Sequence, residues 1–244
     1  KTGFDIGTSF EQYENFYVSP NISLAFEDIE VDTTASTAVQ NMEGNFFNID
    51  LGYSLVKDER NQRYKPTKGS KILFKQSIPI VQDSSSIVNG LDINTYHDFS
   101  EDLIGSVKFH SRSVNGIDKD VRLTERLYIP STRLRGFNTN KVGPKDGDDY
   151  IGGNYVTTLG FEAQMPNLLP ETYRTDFSLF VDSANVWGVD YTSIDDTNTI
   201  RSSVGISANV FTTIGPLSFT MAQDLSKASG DQTESFNFRL GTSF

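Results

Sequence analysis

The chain has few groups able to do covalent chemistry at neutral pH. His97 and His110 are its only histidines, and it has no cysteine. A general base must titrate near neutrality and be held against its substrate; neither histidine lies in a nucleophile elbow or at zinc-ligand spacing. His110 alternates with Lys108 and Arg112 on a polar face and reads as a solvated side chain. Gly152-Gly153 follows a loop and does not lead from a strand into a helix, so no phosphate cradle is expected. The acidic run 146–149 reads as a solvated loop. The sequence thus calls for no catalytic residue, no metal and no cofactor. The stronger constellation is ionic. Arg135 lies in Leu134-Arg135-Gly136-Phe137, far from any strand, while Glu162 and Asp182 occupy same-face positions on the two strands that follow. A loop folded back onto that face would put one guanidinium between two carboxylates, where forked, charge-assisted hydrogen bonds fix it. In the alternative, each carboxylate simply faces water.

The elements that must position these groups show in the periodicity. Phe236, Phe238, Leu240 and Phe244 share one parity at the end of the chain, with Asn237, Arg239 and Gly241 between them. Period two means a strand, with its two sets of side chains on opposite faces. The same alternation recurs around Phe219, Ile206, Leu179, Phe161, Val107, Ile93, Phe74, Leu51, Leu24 and Ile6, giving about eleven strands and no convincing amphipathic helix. Short connectors (13–15, 101–103, 215–216) alternate with longer polar ones (32–45, 190–199, 228–232), and the longest runs from about 114 to 153. The connector 58–69 is long where the pattern asks for a short one. No solenoid repeat or Pro/Ser-rich linker divides the chain, so it reads as one continuous meander.

The 244 residues hold 21 Lys+Arg against 32 Asp+Glu, a net charge of 21 − 32 = −11, which is the wrong sign for a nucleic-acid partner. Only 36% of residues are hydrophobic, and no apolar run is long enough for a spanning helix. A soluble sandwich would give the same alternation. Three features favour a membrane barrel instead. The polar faces carry Gly and charged residues, as a wet lumen allows. Aromatics such as Tyr13, Phe16, Tyr17, Tyr155, Trp187 and Phe244 gather near strand ends, as in interfacial girdles. Low mean hydropathy is expected when only one face of each strand meets lipid. The predicted fold is all-β, an antiparallel up-and-down transmembrane β-barrel with long loops on one rim and short turns on the other.

These residues also resemble a known family. The tetrad 134–137, then Asn138-Thr139-Asn140, Val142-Gly143-Pro144 and Gly152-Gly153-Asn154, is similar to the sixth extracellular loop of the BamA family of outer-membrane insertases, with Leu134 in place of the more usual Val. Asp58-Glu59-Arg60-Asn61 with Pro66-Thr67-Lys68-Gly69 resembles that family's long periplasmic turn. Phe180-Val181-Asp182, Asn185-Val186-Trp187, Gly215-Pro216-Leu217 and the terminal Phe244 also fit, in the family's order and over essentially the whole chain.

The resemblance implies that Arg135 enters the barrel and that Glu162 and Asp182 are its acidic partners. It implies a sixteen-stranded barrel preceded by periplasmic POTRA domains, of which residues 1–244 would be the last eleven strands. An odd strand count, unusual for a bacterial barrel, suggests the same. It further implies a bacterial outer-membrane location, with long loops extracellular and the short turns and C-terminus periplasmic. The implied activity is assembly of unfolded outer-membrane clients, delivered by periplasmic chaperones and aided by accessory lipoproteins. The seam between first and last strands would open into outer-membrane lipid, with strand 236–244 as half of the gate and Gly241 loosening its pairing. A polypeptide secretion transporter of the same superfamily and a passive porin are the competing readings.

Overall fold

In the computed structural model, which describes residues 2–40, 42–82, 86–190, 194, 196, 198–213 and 215–241, the alternating segments join into one antiparallel sheet. Strands β1 (Thr2–Gly7) and β2 (Phe10–Tyr13) share one lane beside β3 (Phe16–Ile29). Next come β4 (Gly44–Asp58), β5 (Gly69–Gln82), β6 (Ser86–Ser100) and β7 (Leu103–Gly116). The long loop carries a small hairpin of β8 (Lys145–Asp146) and β9 (Asp149–Tyr150). Then β10 (Tyr155–Met165), β11 (Thr175–Trp187), β12 (Arg201–Thr212), β13 (Gly215–Ser226) and β14 (Phe236–Leu240) complete the sheet in chain order. Eleven lanes result, as the alternation predicts. Helix among the described residues amounts to Thr37–Gln40 and two 3-10 turns, Leu123–Glu125 and Glu171–Tyr173.

The period-two pattern becomes two surfaces. Ile22, Leu24, Phe47, Leu51, Phe161, Leu179, Val181, Ile206 and Met221 stand exposed on one face, and Asp92, Thr158, Asp182 and Ser203 are buried on the other. A water-soluble protein does not leave so continuous an apolar surface uncovered; a barrel in lipid requires it.

The sheet is curled around its polar face, and the long loop shows why. Arg122 pairs with Glu27 on β3, and Ser131 accepts a hydrogen bond from Arg239 on β14. Those strands are nine steps apart in the sheet, about 43 Å if it were flat at roughly 4.8 Å per step. Nine residues reach at most about 32 Å fully extended, and this stretch contains a 3-10 turn. Ties from one short segment to strands so far apart are what a curled sheet provides, and the Lys65–Asp176 pair joins the β4–β5 connector to β11 in the same way. Among the described residues β1 and β14 each pair on one side only.

One sequence expectation needs adjustment. The long loop occupies 117–154, slightly later than the expected 114–153, because β7 continues to Gly116. Of the expected last strand 236–244, the described part forms β14 over Phe236–Leu240. Gly241 takes φ +121°, which turns the chain out of the pleat while its N–H still donates to the Pro216 carbonyl at 3.0 Å; Phe244 lies outside the described residues.

The anomalous connector between β4 and β5 is a built structure. Arg60 forks onto Asp58 at 2.8 Å through both Nε and Nη2, and Asn61 Oδ1 accepts from the Thr67 and Lys68 amides at 3.1 and 3.2 Å. Its tip, Lys65, reaches across to Asp176 on β11 at 2.5 Å and lies 3.6 Å from the ring centroid of Phe211 on β12.

Placing Lys at Leu179, in the middle of the apolar face, should cost roughly 2–4 kcal/mol of folding stability in a bilayer, whereas Leu179→Met should change it little. Urea titration of the full-length protein folded into bilayers, followed by heat-modifiable migration, measures both; equal stability for the two variants would mean that this face meets water.

Candidate functional site

The inner face is organised in rows that the strand registers line up. One row runs Asp92, His110, Thr158, Ala184 across β6, β7, β10 and β11. The next runs Asn94, Lys108, Gly160, Asp182, Ser203, and a third holds Ser106, Glu162, Phe180 and Gly205. Arg135 descends from the loop between the second and third rows. Its Nε and Nη2 donate to the two Asp182 oxygens at 2.8 and 2.9 Å, and its backbone N–H adds a third bond to Asp182 at 3.1 Å. Asp182 is only 2% exposed, so water does not screen the pair. The guanidinium plane lies over the Phe180 ring, 3.5 Å from its centroid, a stacked arrangement that suits Arg better than Lys. Burial opposes the charge on Arg135, but the hydrogen bonds and charge of Asp182 outweigh it, and the guanidinium is held more firmly protonated than usual.

Glu162 plays a smaller part than the sequence suggested. Its Oε2 is 3.5 Å from Arg135 Nη1 but accepts a 2.9 Å hydrogen bond from Lys108 on the neighbouring strand. Small residues clear the space. A Cβ at Gly205 would lie 2.6 Å from Phe180 Cζ and 2.2 Å from the Met221 carbonyl oxygen. Gly136 takes φ +89°, and a Cβ there would come within 2.8 Å of Ala222 on β13, so the residue after the arginine must be glycine for the loop to lie this close to the wall.

The tetrad's other two members are apolar anchors. Leu134 and Phe137 are buried with Ile129 and Val142 of the loop against Val156, Ala184 and Val186 of β10 and β11. The upper inner face is therefore dry and packed at this point, contrary to the uniformly wet lumen that the polar alternation implied. Val156 and Val186 share a register pair, a signal of inward apolar packing that Thr157 and Asn185 beside them obscured. His110 is likewise not solvated: it is 8% exposed and its Nδ1 lies 2.7 Å from Asp92 Oδ1. Nor is 146–149 a free acidic loop, since Asp146 pairs with Asp149 in the hairpin and Asp149 accepts from the Ser36 amide at 3.0 Å. A further buried pair escaped the sequence altogether. Arg201 Nε donates to Asp231 at 2.9 Å, and Asp231 also accepts the Ala228 and Gly143 amides, joining β12, the 227–235 connector and the long loop.

The loop is also bonded to the chain that leads into the last strand. Gly136 accepts from the Glu234 amide at 2.9 Å, Asn138 donates to the Gln232 carbonyl at 2.9 Å, and the Lys141 carbonyl accepts from the Gln232 amide at 3.0 Å. On β14, Phe236, Phe238 and Leu240 face outward and exposed, paired with Met221, Phe219 and Leu217. Arg239 points inward and donates to the Ser131 carbonyl at 2.8 Å.

A family profile described as the Omp85 superfamily domain matches residues 1–244. The chain belongs to the Omp85 superfamily. It is 24% identical over 250 aligned residues to the outer membrane protein assembly factor BamA of Neorickettsia risticii, an alignment that covers 99% of this chain and 34% of that protein. It is 27% identical over 171 residues to the human sorting and assembly machinery component 50 homolog, covering 65% of this chain and 36% of the human protein. The crystal structure of BamA from Haemophilus ducreyi lacking POTRA domains 1–3 superposes with a TM-score of 0.84 at 23% identity, over 97% of this chain and 53% of that one. This Omp85 chain thus spans about a third of the length of the curated relatives and about half of the solved chain. As in that structure, its strands are those of an outer-membrane β-barrel, which accounts for the apolar outer face.

For this Omp85 domain, Asp182→Asn leaves the Arg135 guanidinium buried without its fork, at a cost of about 3–5 kcal/mol, and should expose the loop to protease. Glu162→Gln leaves the fork intact and should expose it much less. Protease protection of residues 129–142 in the folded full-length protein distinguishes them.

Proposed function

We propose that the chain is the C-terminal barrel portion of an outer-membrane assembly factor that inserts β-barrel proteins through a laterally opening seam. One observation carries this reading: the loop anchored by Arg135 is hydrogen-bonded to residues 232–234 and, through Arg239, to the final strand. Loop position and edge-strand position are therefore coupled, as a gate requires. Similarity to a protein named as an outer membrane protein assembly factor, over nearly all of the chain, supports the same reading.

The physics of the step follows from the open edge. A client strand entering lipid cannot leave backbone N–H and C=O groups unpaired, since each would cost several kcal/mol. The free edge of β14 offers those groups a template, and β-augmentation supplies the pairing as the client leaves water. No nucleotide or covalent intermediate is needed. The partners are unfolded outer-membrane clients, the periplasmic chaperones that deliver them, accessory lipoproteins and the surrounding lipid. The long loops face the cell exterior, and the short turns and C-terminus face the periplasm.

A conducting role, as a polypeptide secretion transporter or a porin, draws on a different feature. A cavity of about 690 Å³ lies on the β1–β7 side of the interior, lined by polar groups that include Asp5, Asn21, Lys75, Gln76 and Arg112. Replacing Arg135 by Ala separates the readings. In cells that depend on the variant full-length protein, assembled client barrels should fall about tenfold or more, in line with loss of a buried charge pair. Normal client assembly together with increased small-solute conductance would replace the insertase reading with the conducting one.

A further inference from the structure

A second buried carboxylate meets the loop three strand steps away from Asp182. Asp92 on β6 lies opposite His110 on β7 and takes three partners: His110 Nδ1 at 2.7 Å, Arg112 Nη2 at 2.6 Å and, from the loop, Arg133 Nη2 at 3.3 Å. Arg133 Nη1 also donates to Asn94 Oδ1, one position along the same inner face of β6, at 3.4 Å. Burial is the larger influence on the Arg133 guanidinium and weakens its hold on the proton, and the nearby Asp92 charge offsets part of that effect. Arg133 and Arg135 flank Leu134, which is buried in the apolar cluster between them. The span they bridge, from β6 to β11, is about 14 Å at roughly 4.8 Å per step. Arg112, the third member of the Asp92 cluster, also lines the 690 Å³ cavity. The cluster thus stands at the border between the half of the interior that the loop fills and the half that is open.

The geometry points to Arg133 as a second positioning residue of the loop: with Asp92 it fastens the loop to β6 and β7, while Arg135 fastens it to β10 and β11. The loop is then a strut held at two feet, and the Asp92 foot keeps it from swinging into the open cavity. Only the consequence for client assembly rests on the insertase reading; the strut itself does not.

The absence of cysteine makes a clean test available, since a thiol introduced at Ile129, buried beside Leu134, is the only one in these 244 residues. Its labelling by a small maleimide is followed in the folded full-length protein in outer-membrane vesicles. Labelling tracks the open population of the loop. Arg133→Gln and Asp92→Asn should each label about tenfold faster, the scale of a lost charge-assisted hydrogen bond. Arg133→Lys, which keeps the charge without the fork, should fall between parent and Gln. The double variant should label no faster than the faster single one, because both remove the same contact; residues with unrelated structural roles would add. Arg133 lies outside every strand, so its variant decides the matter even if Asp92→Asn fails to fold. Parent-like labelling of Arg133→Gln, or additive effects of the pair, overturns the proposal. Faster labelling with unimpaired client assembly leaves the strut standing and overturns the insertase reading.

Discussion

A guanidinium taken out of water costs several kcal/mol unless charge and hydrogen bonds meet it in place, and in this chain that demand falls on Arg135. Asp182 meets it with two side-chain contacts and one backbone contact, and much of the surrounding sequence follows from fitting that pair. Phe180 must point inward to support the guanidinium face, so Gly205 on the next strand must lack a side chain. Gly136 must follow the arginine because Ala222 is too close for a Cβ, and Gly160 leaves room beside the Asp182 carboxylate, where a Cβ would lie 3.1 Å away. A position that looks like an idle glycine in a strand is here part of the arginine's seat.

The second organising fact is that the centre of the curled sheet is braced by the long loop. The loop touches β3, β6, β10, β11, β13 and β14, so it ties together strands that the ladder alone connects only through many intermediates. Among the described residues β14 contributes five, and Gly241, at φ +121°, follows the last of them. Cross-links between strands are therefore concentrated where the loop fills the interior.

The faces of the strands were legible in the sequence because a period of two assigns every side chain to one side. That sufficed to place Asp182 and Glu162 inward and to suggest a loop arginine between them. It did not reveal that Lys108 holds Glu162 more closely than Arg135 does, because height along the strand and diagonal neighbours depend on register, which no single strand encodes. Phe180 was hidden between Leu179 and Val181, whose apolar side chains defined the face it does not share. The loop's own packing was least legible. Ile129, Leu134, Phe137 and Val142 have no common period, and only the folded loop brings them together. The same holds for Arg133 with Asp92 and Arg201 with Asp231, pairs separated by 41 and 30 residues.

The contact made by Lys65 bears on the shape of the interior. The long loop enters the curl from one rim, and the tip of the 59–68 turn crosses the other rim to reach Asp176 and Phe211. With both in place the interior is spanned at either rim, and a lysine on a surface turn thereby braces two parts of the wall that the strand ladder joins only through several intermediates.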